Sequence, residues 1–252
     1  MTILRRIRDV TLLALLAAAA PTGLTSQVVV EPLAGVAPGD RWGCSPWLHP
    51  EDEVVARIRA AMSLADPDRA LDTLRALEPG VRAAAAAAPR DARLQFRLVA
   101  LLGARTNLVE GRAAVKVADE LHDRTVALLE IEPRHAGAHH ILGRLHAAAM
   151  RMGRLERFLA RTLLGADLLA SVSWEGARRH LERAERQDPC VDAHHWELAR
   201  LYRERGHPAL ARREIEHLVE LAAVGQVERE ILARTRLLDE ELSSVQDPGN
   251  RP

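Results

Sequence analysis

Apolar residues recur along this chain at the three- and four-residue spacing of amphipathic helices, and polar or proline-bearing stretches cut the pattern into short segments. Val54, Val55, Ile58, Ala61, Met62 and Leu64 open the series behind an acidic start at Glu51. Asp66-Pro67 interrupts it. Leu71, Leu74 and Leu77 resume it, and Pro79-Gly80 is expected to break it before a separate alanine helix from Ala83 to Ala88. Later helices are expected over Gly111 to Glu130, Trp174 to Arg186 and Ala209 to Leu221. An amphipathic run from Gln226 to Leu242 carries Ile231, Leu232, Leu237, Leu238 and Leu242.

One segment occurs twice, as Ala136-Gly-Ala-His-His-Ile-Leu-Gly-Arg-Leu-His146 and Asp192-Ala-His-His-Trp-Glu-Leu-Ala-Arg-Leu-Tyr202, each behind a proline-bearing turn. A helix pair that cannot bury its apolar face alone must stack on neighbours, so the repetition sets the architecture. Leu102-Gly103, Leu142-Gly143 and Leu198-Ala199 take the same place in successive first helices, the small residue admitting the paired helix. They lie 40 and 56 residues apart, against a tetratricopeptide period of about 34, which leaves insertions of about 6 and about 22 residues.

The expected fold is all-α, a tetratricopeptide-like α-solenoid of helix pairs with an inserted helix and a C-terminal capping helix. Residues 51–242 form the repeat domain and residues 243–252 a flexible tail. The longer insertion carries the extra helix, with Leu155, Phe158, Leu159 and Leu163 on one face and Arg154, Arg157 and Arg161 elsewhere. Its apolar face is expected to pack on the repeat core, with a membrane-surface helix as the alternative.

Four stretches carry a resemblance: Ala138-His-His-Ile-Leu-Gly-Arg144, Arg154-Leu-Glu-Arg-Phe-Leu-Ala-Arg-Thr-Leu-Leu-Gly165, Ser173-Trp-Glu-Gly-Ala-Arg-Arg-His-Leu-Glu-Arg-Ala184 and Leu198-Ala-Arg-Leu-Tyr-Arg-Glu-Arg-Gly206. Together, over about residues 91–222, the chain resembles the regulator of microtubule dynamics family. The long insertion between paired helices sits in the same place. The resemblance implies a helical-repeat fold and, as in the animal members, an association with microtubules or organelle membranes.

Composition agrees with helix, since the chain is 48% hydrophobic and only 3% aromatic. Its 35 basic and 35 acidic residues cancel, so no global field would hold nucleic acid. Arg5, Arg6 and Arg8 precede an apolar stretch from Val10 to Ala20, the pattern of a secretory signal peptide over residues 1–26. Export to the periplasm or medium is the expectation, and a retained membrane anchor the alternative. Residues 27–50 read as a Pro/Gly-rich linker in which Trp42 and Trp47 are candidates to dock on the domain. The two cysteines, Cys44 and Cys190, are expected as unpaired thiols, one bridge in an oxidising compartment being the alternative.

Histidines supply the one cluster with chemical potential. His135, His139, His140 and His146 fall in one repeat and His194 and His195 in the next. A metal shared by His135 and His139 is the alternative reading, and packing inside the repeats the expected one, so no metal and no cofactor is assigned. Gly43-Cys44-Ser45-Pro46-Trp47 is a poor nucleophile motif because Pro46 opposes the helix that would activate the thiol. No catalytic residue is assigned, and the chain is expected not to be an enzyme.

The inner surface of the solenoid remains. With repeats numbered from Phe96, Ala136 and Asp192, the groove-facing positions bring forward Arg97, Asn107, His140, Arg144, Trp196, Arg200 and Arg203. Guanidinium forks pair bidentately with carboxylates and Trp196 offers a flat apolar face, so an acidic or C-terminal peptide is the expected ligand. The competing reading makes these arginines struts paired with glutamates of neighbouring helices. Function is therefore expected to be non-enzymatic protein–protein scaffolding, with a His-cluster metalloprotein or a membrane-anchored, cytoskeleton-associated protein as alternatives.

Overall fold

Short acidic side chains start the first three helices. Asp52 accepts the backbone N–H groups of Val54 and Val55 to open α1 (Glu53–Met62). Asp66 does the same for Asp68 and Arg69 at α2 (Pro67–Ala87), with Pro67 in the first turn, and Asp91 caps α3 (Ala92–Arg105) through Leu94. Each cap satisfies donors that the helix leaves open, at a typical benefit of about 1 kcal/mol. This computed structural model describes residues 52–164, 167–223 and 229–246.

The series continues with α4 (Gly111–Ile131), α5 (Ala136–Arg151), α6 (Arg154–Leu164), a 3₁₀ turn (Asp167–Ala170) and α7 (Trp174–Gln187). After these come α8 (Asp192–Glu204), α9 (Pro208–Ala223) and α10 (Arg229–Gln246). The described residues therefore hold ten helices that pack in adjacent pairs, an all-α, α-solenoid-like arrangement. Gly206, at φ 75°, ends α8 by letting the His207 N–H turn back to the Tyr202 carbonyl at 2.8 Å.

Proline 79 does not divide α2. It lies inside one continuous helix, which corrects the expected break at Pro79-Gly80. The site is exposed, so the carbonyl that loses its donor faces water. Leu74, Val81 and Ala85 are buried on both sides of it, and Arg82 binds Glu78 in the same helix and Glu120 of α4 at once. Arg105 of α3 adds a second guanidinium to Glu78 at 2.7 Å. Packing and this ion network outweigh the one lost backbone bond.

Two compact units divide the chain, the first ending at Gln187 and the second continuing from Asp188. In the first, α1, α2 and α3 pack together, α3 pairs with α4, and α5 pairs with α7 while α6 and the 3₁₀ turn lie between them in sequence. This is the expected insertion between paired helices. Leu98, Val99, Leu101, Leu102, Leu121, Leu128, Leu142 and Leu145 form much of its core. In the second unit α8 pairs with α9, and α10 packs on both, burying Leu198, Leu201, Leu218, Ile231 and Leu238.

Glycine 143 is a point of close approach between α5 and α7. A Cβ there would stand 2.6 Å from Leu181 Cγ and 3.0 Å from the Leu181 backbone nitrogen. Gly103 has open space around it, so it is not the equivalent of Gly143. The helix starts explain the difference. The caps Asp91 and His135 are 44 residues apart, one turn more than the spacing from Gly103 to Gly143, so Val99 holds the place of Gly143 in the first pair.

Three further expectations change. Phe158 on α6 is 63% exposed rather than packed, while Ala160 is buried and Arg157 folds back onto the carbonyls of Ala149, Met150 and Met152 at the end of α5. The side chains of Leu155, Leu159 and Leu163 lie outside the described residues. Cys190 is disulfide-bonded, which corrects the expectation of unpaired thiols. Cys44, Trp42, Trp47 and the export-like leader lie outside the described residues, as do residues 247–252. The last helix runs to Gln246, past the expected domain end at 242. Among the described residues no helix is long and apolar enough to cross a membrane.

Candidate functional site: histidines that clamp the helix pairs

The fourth residue of α3, α5 and α8 is a buried polar side chain in each case: Gln95, His139 and His195. All three reach back to the end of the preceding helix or to the loop that follows it. Gln95 Nε2 donates to Ala85 O at 2.7 Å and Ala88 O at 3.2 Å. His139 Nε2 donates to Pro133 O and His195 Nε2 to Pro189 O, both at 2.9 Å. A carbonyl buried beside the core is costly to leave unpaired, and this position answers it at the start of these three helices.

The second nitrogen of each ring decides its charge. His139 Nδ1 faces His180 Nδ1 of α7 at 3.0 Å. With Nε2–H committed to a carbonyl, a neutral His139 accepts at Nδ1 from His180 Nδ1–H, which assigns both tautomers. Burial and neighbouring cationic groups push both rings below the ordinary histidine value, His180 to about 4. The pair is neutral near pH 7.

In the second unit the same ring position meets a carboxylate. His195 Nδ1 lies 2.9 Å from Glu214 Oε2 of α9, with the two side chains 2% and 1% exposed. Both His195 nitrogens thus face groups that only accept, so the ring carries two protons and the pair is ionic. Burial pushes Glu214 up, but the hydrogen bonds from His195 and Arg213 and the nearby His217 outweigh it and hold the carboxyl at about 2. Arg213 Nη2 approaches Oε1 at 3.1 Å and His217 Nδ1 approaches Oε2 at 3.6 Å.

The other histidines of the expected cluster separate. His135 is the N-cap of α5, its Nδ1 accepting from the Ala138 N–H at 3.2 Å, and its ring lies 4.6 Å from Phe96. It does not sit on the helix beside His139, so the two share no face. His140 is buried in the core near Arg144, and burial, with Arg144 adding to it, drives its pKa far down. His146 accepts from the Ser173 N–H at 3.4 Å and stands edge-on to His180, ring centres 5.6 Å apart. His180 and Glu214, which complete the two clamps, are residues that sequence reasoning missed.

The seven groove candidates fall into four kinds. Arg97 is a strut: it is 19% exposed and its Nη2 pairs with Asp52 Oδ2 at 2.9 Å, joining the α1 cap to α3. Burial pushes Asp52 up, but hydrogen bonds from Arg97 and Arg93 hold it well below the usual carboxylate range. Asn107 caps α3, donating to the Gly103 and Ala104 carbonyls. His140 and Arg144 are buried. Only α8 keeps its candidates at the surface: Trp196 is half-buried, Arg200 reaches its own Glu204 at 3.2 Å, and Arg203 is 40% exposed and pairs with Glu241 at 3.2 Å.

A family model described as Regulator of microtubule dynamics protein 1-3 matches residues 68–243. That stretch takes in both clamps, the inserted helix, Gly143 and most of α10, and it exceeds the span over which the sequence motifs carry the resemblance. No curated protein matches the chain at a significant level. The helical pairs, the insertion between α5 and α7, and a match over most of the chain agree, and the chain belongs to the regulator of microtubule dynamics protein 1-3 family.

Proposed function

We propose that this protein is a non-enzymatic interaction scaffold of tetratricopeptide type that is exported and binds a partner protein along α8. The observation that carries the reading is the fate of its reactive groups. His195 and Glu214 are spent on each other and on a loop carbonyl, whereas Trp196, Arg200 and Arg203 lie on successive turns of α8 with solvent-reaching surface. An aromatic plane flanked by guanidinium groups suits an acidic peptide. Export is supported by the charged and apolar leader and by the disulfide at Cys190.

The test is affinity capture from envelope extract on the immobilised mature chain. The parent should retain a discrete partner that Trp196→Ala releases while helix content stays constant. Equal retention by both proteins would remove α8 from the binding surface. A second reading follows from family membership, a direct association with microtubules. Co-sedimentation with polymerised tubulin separates the two, since a scaffold for an envelope partner stays in the supernatant.

A further inference from the structure

We propose that His139 and His180 form an imidazole-only site for a borderline divalent metal ion of the zinc class, across the α5–α7 helix pair. The carrying observation is the approach of the two Nδ1 atoms to 3.0 Å. Ligand nitrogens at about 2.0 to 2.1 Å from one zinc ion lie about 3.3 Å apart in tetrahedral geometry, so a few tenths of an ångström of widening admits the ion.

The second shell is already in place. His139 Nε2–H donates to Pro133 O at 2.9 Å, the outer contact that orients a metal-bound histidine and aims its other nitrogen at the ion. His180 is half-buried, which leaves an open side for water to complete the shell. On binding, the proton on His180 Nδ1 is relocated to Nε2, so both rings ligate in the neutral state. His146 brings a third imidazole edge-on to His180.

The donor set also sets the selectivity. Neither ligand is a carboxylate, so the site should ignore Mg²⁺ and Ca²⁺, which require oxygen ligands, and take ions that prefer imidazole. Three arginines of α7 oppose a cation here: Arg183 acts on both rings, Arg179 on His180 and Arg186 on His139. Arg179 and Arg186 each lie 3.9 Å from a carboxylate, Glu175 and Glu182, which moderates their repulsion.

The experiment is calorimetric titration of the full chain with ZnCl₂ in the presence of excess MgCl₂, repeated on two variants. His139→Gln keeps the clamp, because Gln95 makes the same kind of loop contact in the first helix pair, but it removes the ligand. His180→Ala removes the other ligand at a half-exposed position. The expected result is one saturable site in the parent that weakens more than tenfold in both variants. Absence of a saturable site in the parent, or unchanged binding in the two variants, would overturn the proposal.

Discussion

His195 and Glu214 form an ion pair inside the second unit, 2.9 Å apart and both nearly sealed from water. The pair is stable because it is not isolated. Pro189 O takes the other histidine proton and Arg213 takes the other carboxylate oxygen, so each charge is met on two sides.

The first prediction is acid sensitivity with a defined window. Glu214 sits at about 2 when folded against an ordinary value of 4.5. A carboxylate depressed on folding contributes its stabilisation fully above the unfolded value and loses it as pH falls through the folded one, so the loss runs from about pH 4.5 down to about pH 2. Glu214→Gln should destabilise the chain by roughly 3 to 5 kcal/mol at pH 7, the usual cost of breaking a buried pair. Urea unfolding of both proteins at several pH values checks it. A variant as acid-sensitive as the parent would show that other groups set the acid limb.

Two glycines in successive first helices should respond in opposite directions. At Gly143 an added Cβ runs into Leu181, backbone included, so Gly143→Ala should cost about 1 to 3 kcal/mol through overpacking. Gly103 is helical and has nothing within 4 Å, so Gly103→Ala should stabilise by up to about 1 kcal/mol through helix propensity. Thermal melts of the two variants beside the parent decide the matter. A Gly143→Ala protein that melts with the parent would place the α5–α7 contact elsewhere.

Helix starts were readable because they rest on local chemistry: Asp66-Pro67 opens α2 as a cap followed by a first-turn proline. The first repeat was misread by one turn because Leu102-Gly103 imitates Leu142-Gly143, and only the cap positions reveal which glycine touches a partner helix. Pro79 misled because its tolerance depends on burial and on Arg82 bridging to α4, neither of which is local. His180 was hidden among Arg178, Arg179 and Arg183 on what reads as a solvated face. Glu214 likewise sits within Arg-Arg-Glu-Ile-Glu-His. A charged residue at helical spacing gives no sign of which side of its turn meets a buried histidine.

The disulfide at Cys190 makes a chemical prediction. Denatured, unreduced protein should show no free thiol and, after reduction, two per chain, the number of cysteines in the sequence. Thiol titration in guanidinium is the measurement. Free thiols in protein isolated under oxidising conditions would count against the proposed export.

The last prediction separates struts from a binding surface. Arg97 is largely covered and paired with the Asp52 carboxylate that also caps α1, so Arg97→Ala should lower stability by roughly 1.5 to 3 kcal/mol and leave partner capture intact. Arg203 is the converse. It is 40% exposed, and its partner Glu241 is 49% exposed, a pairing that contributes at most about 1 kcal/mol. Arg203→Ala should therefore melt close to the parent yet bind the partner about tenfold more weakly, the equivalent of one charge-assisted hydrogen bond. Both quantities are read on the same two proteins, by thermal melt and by surface-immobilised binding to the captured partner. If Arg203→Ala binds as the parent does, the α8 row is another set of struts, and the recognition surface must be sought away from the arginines.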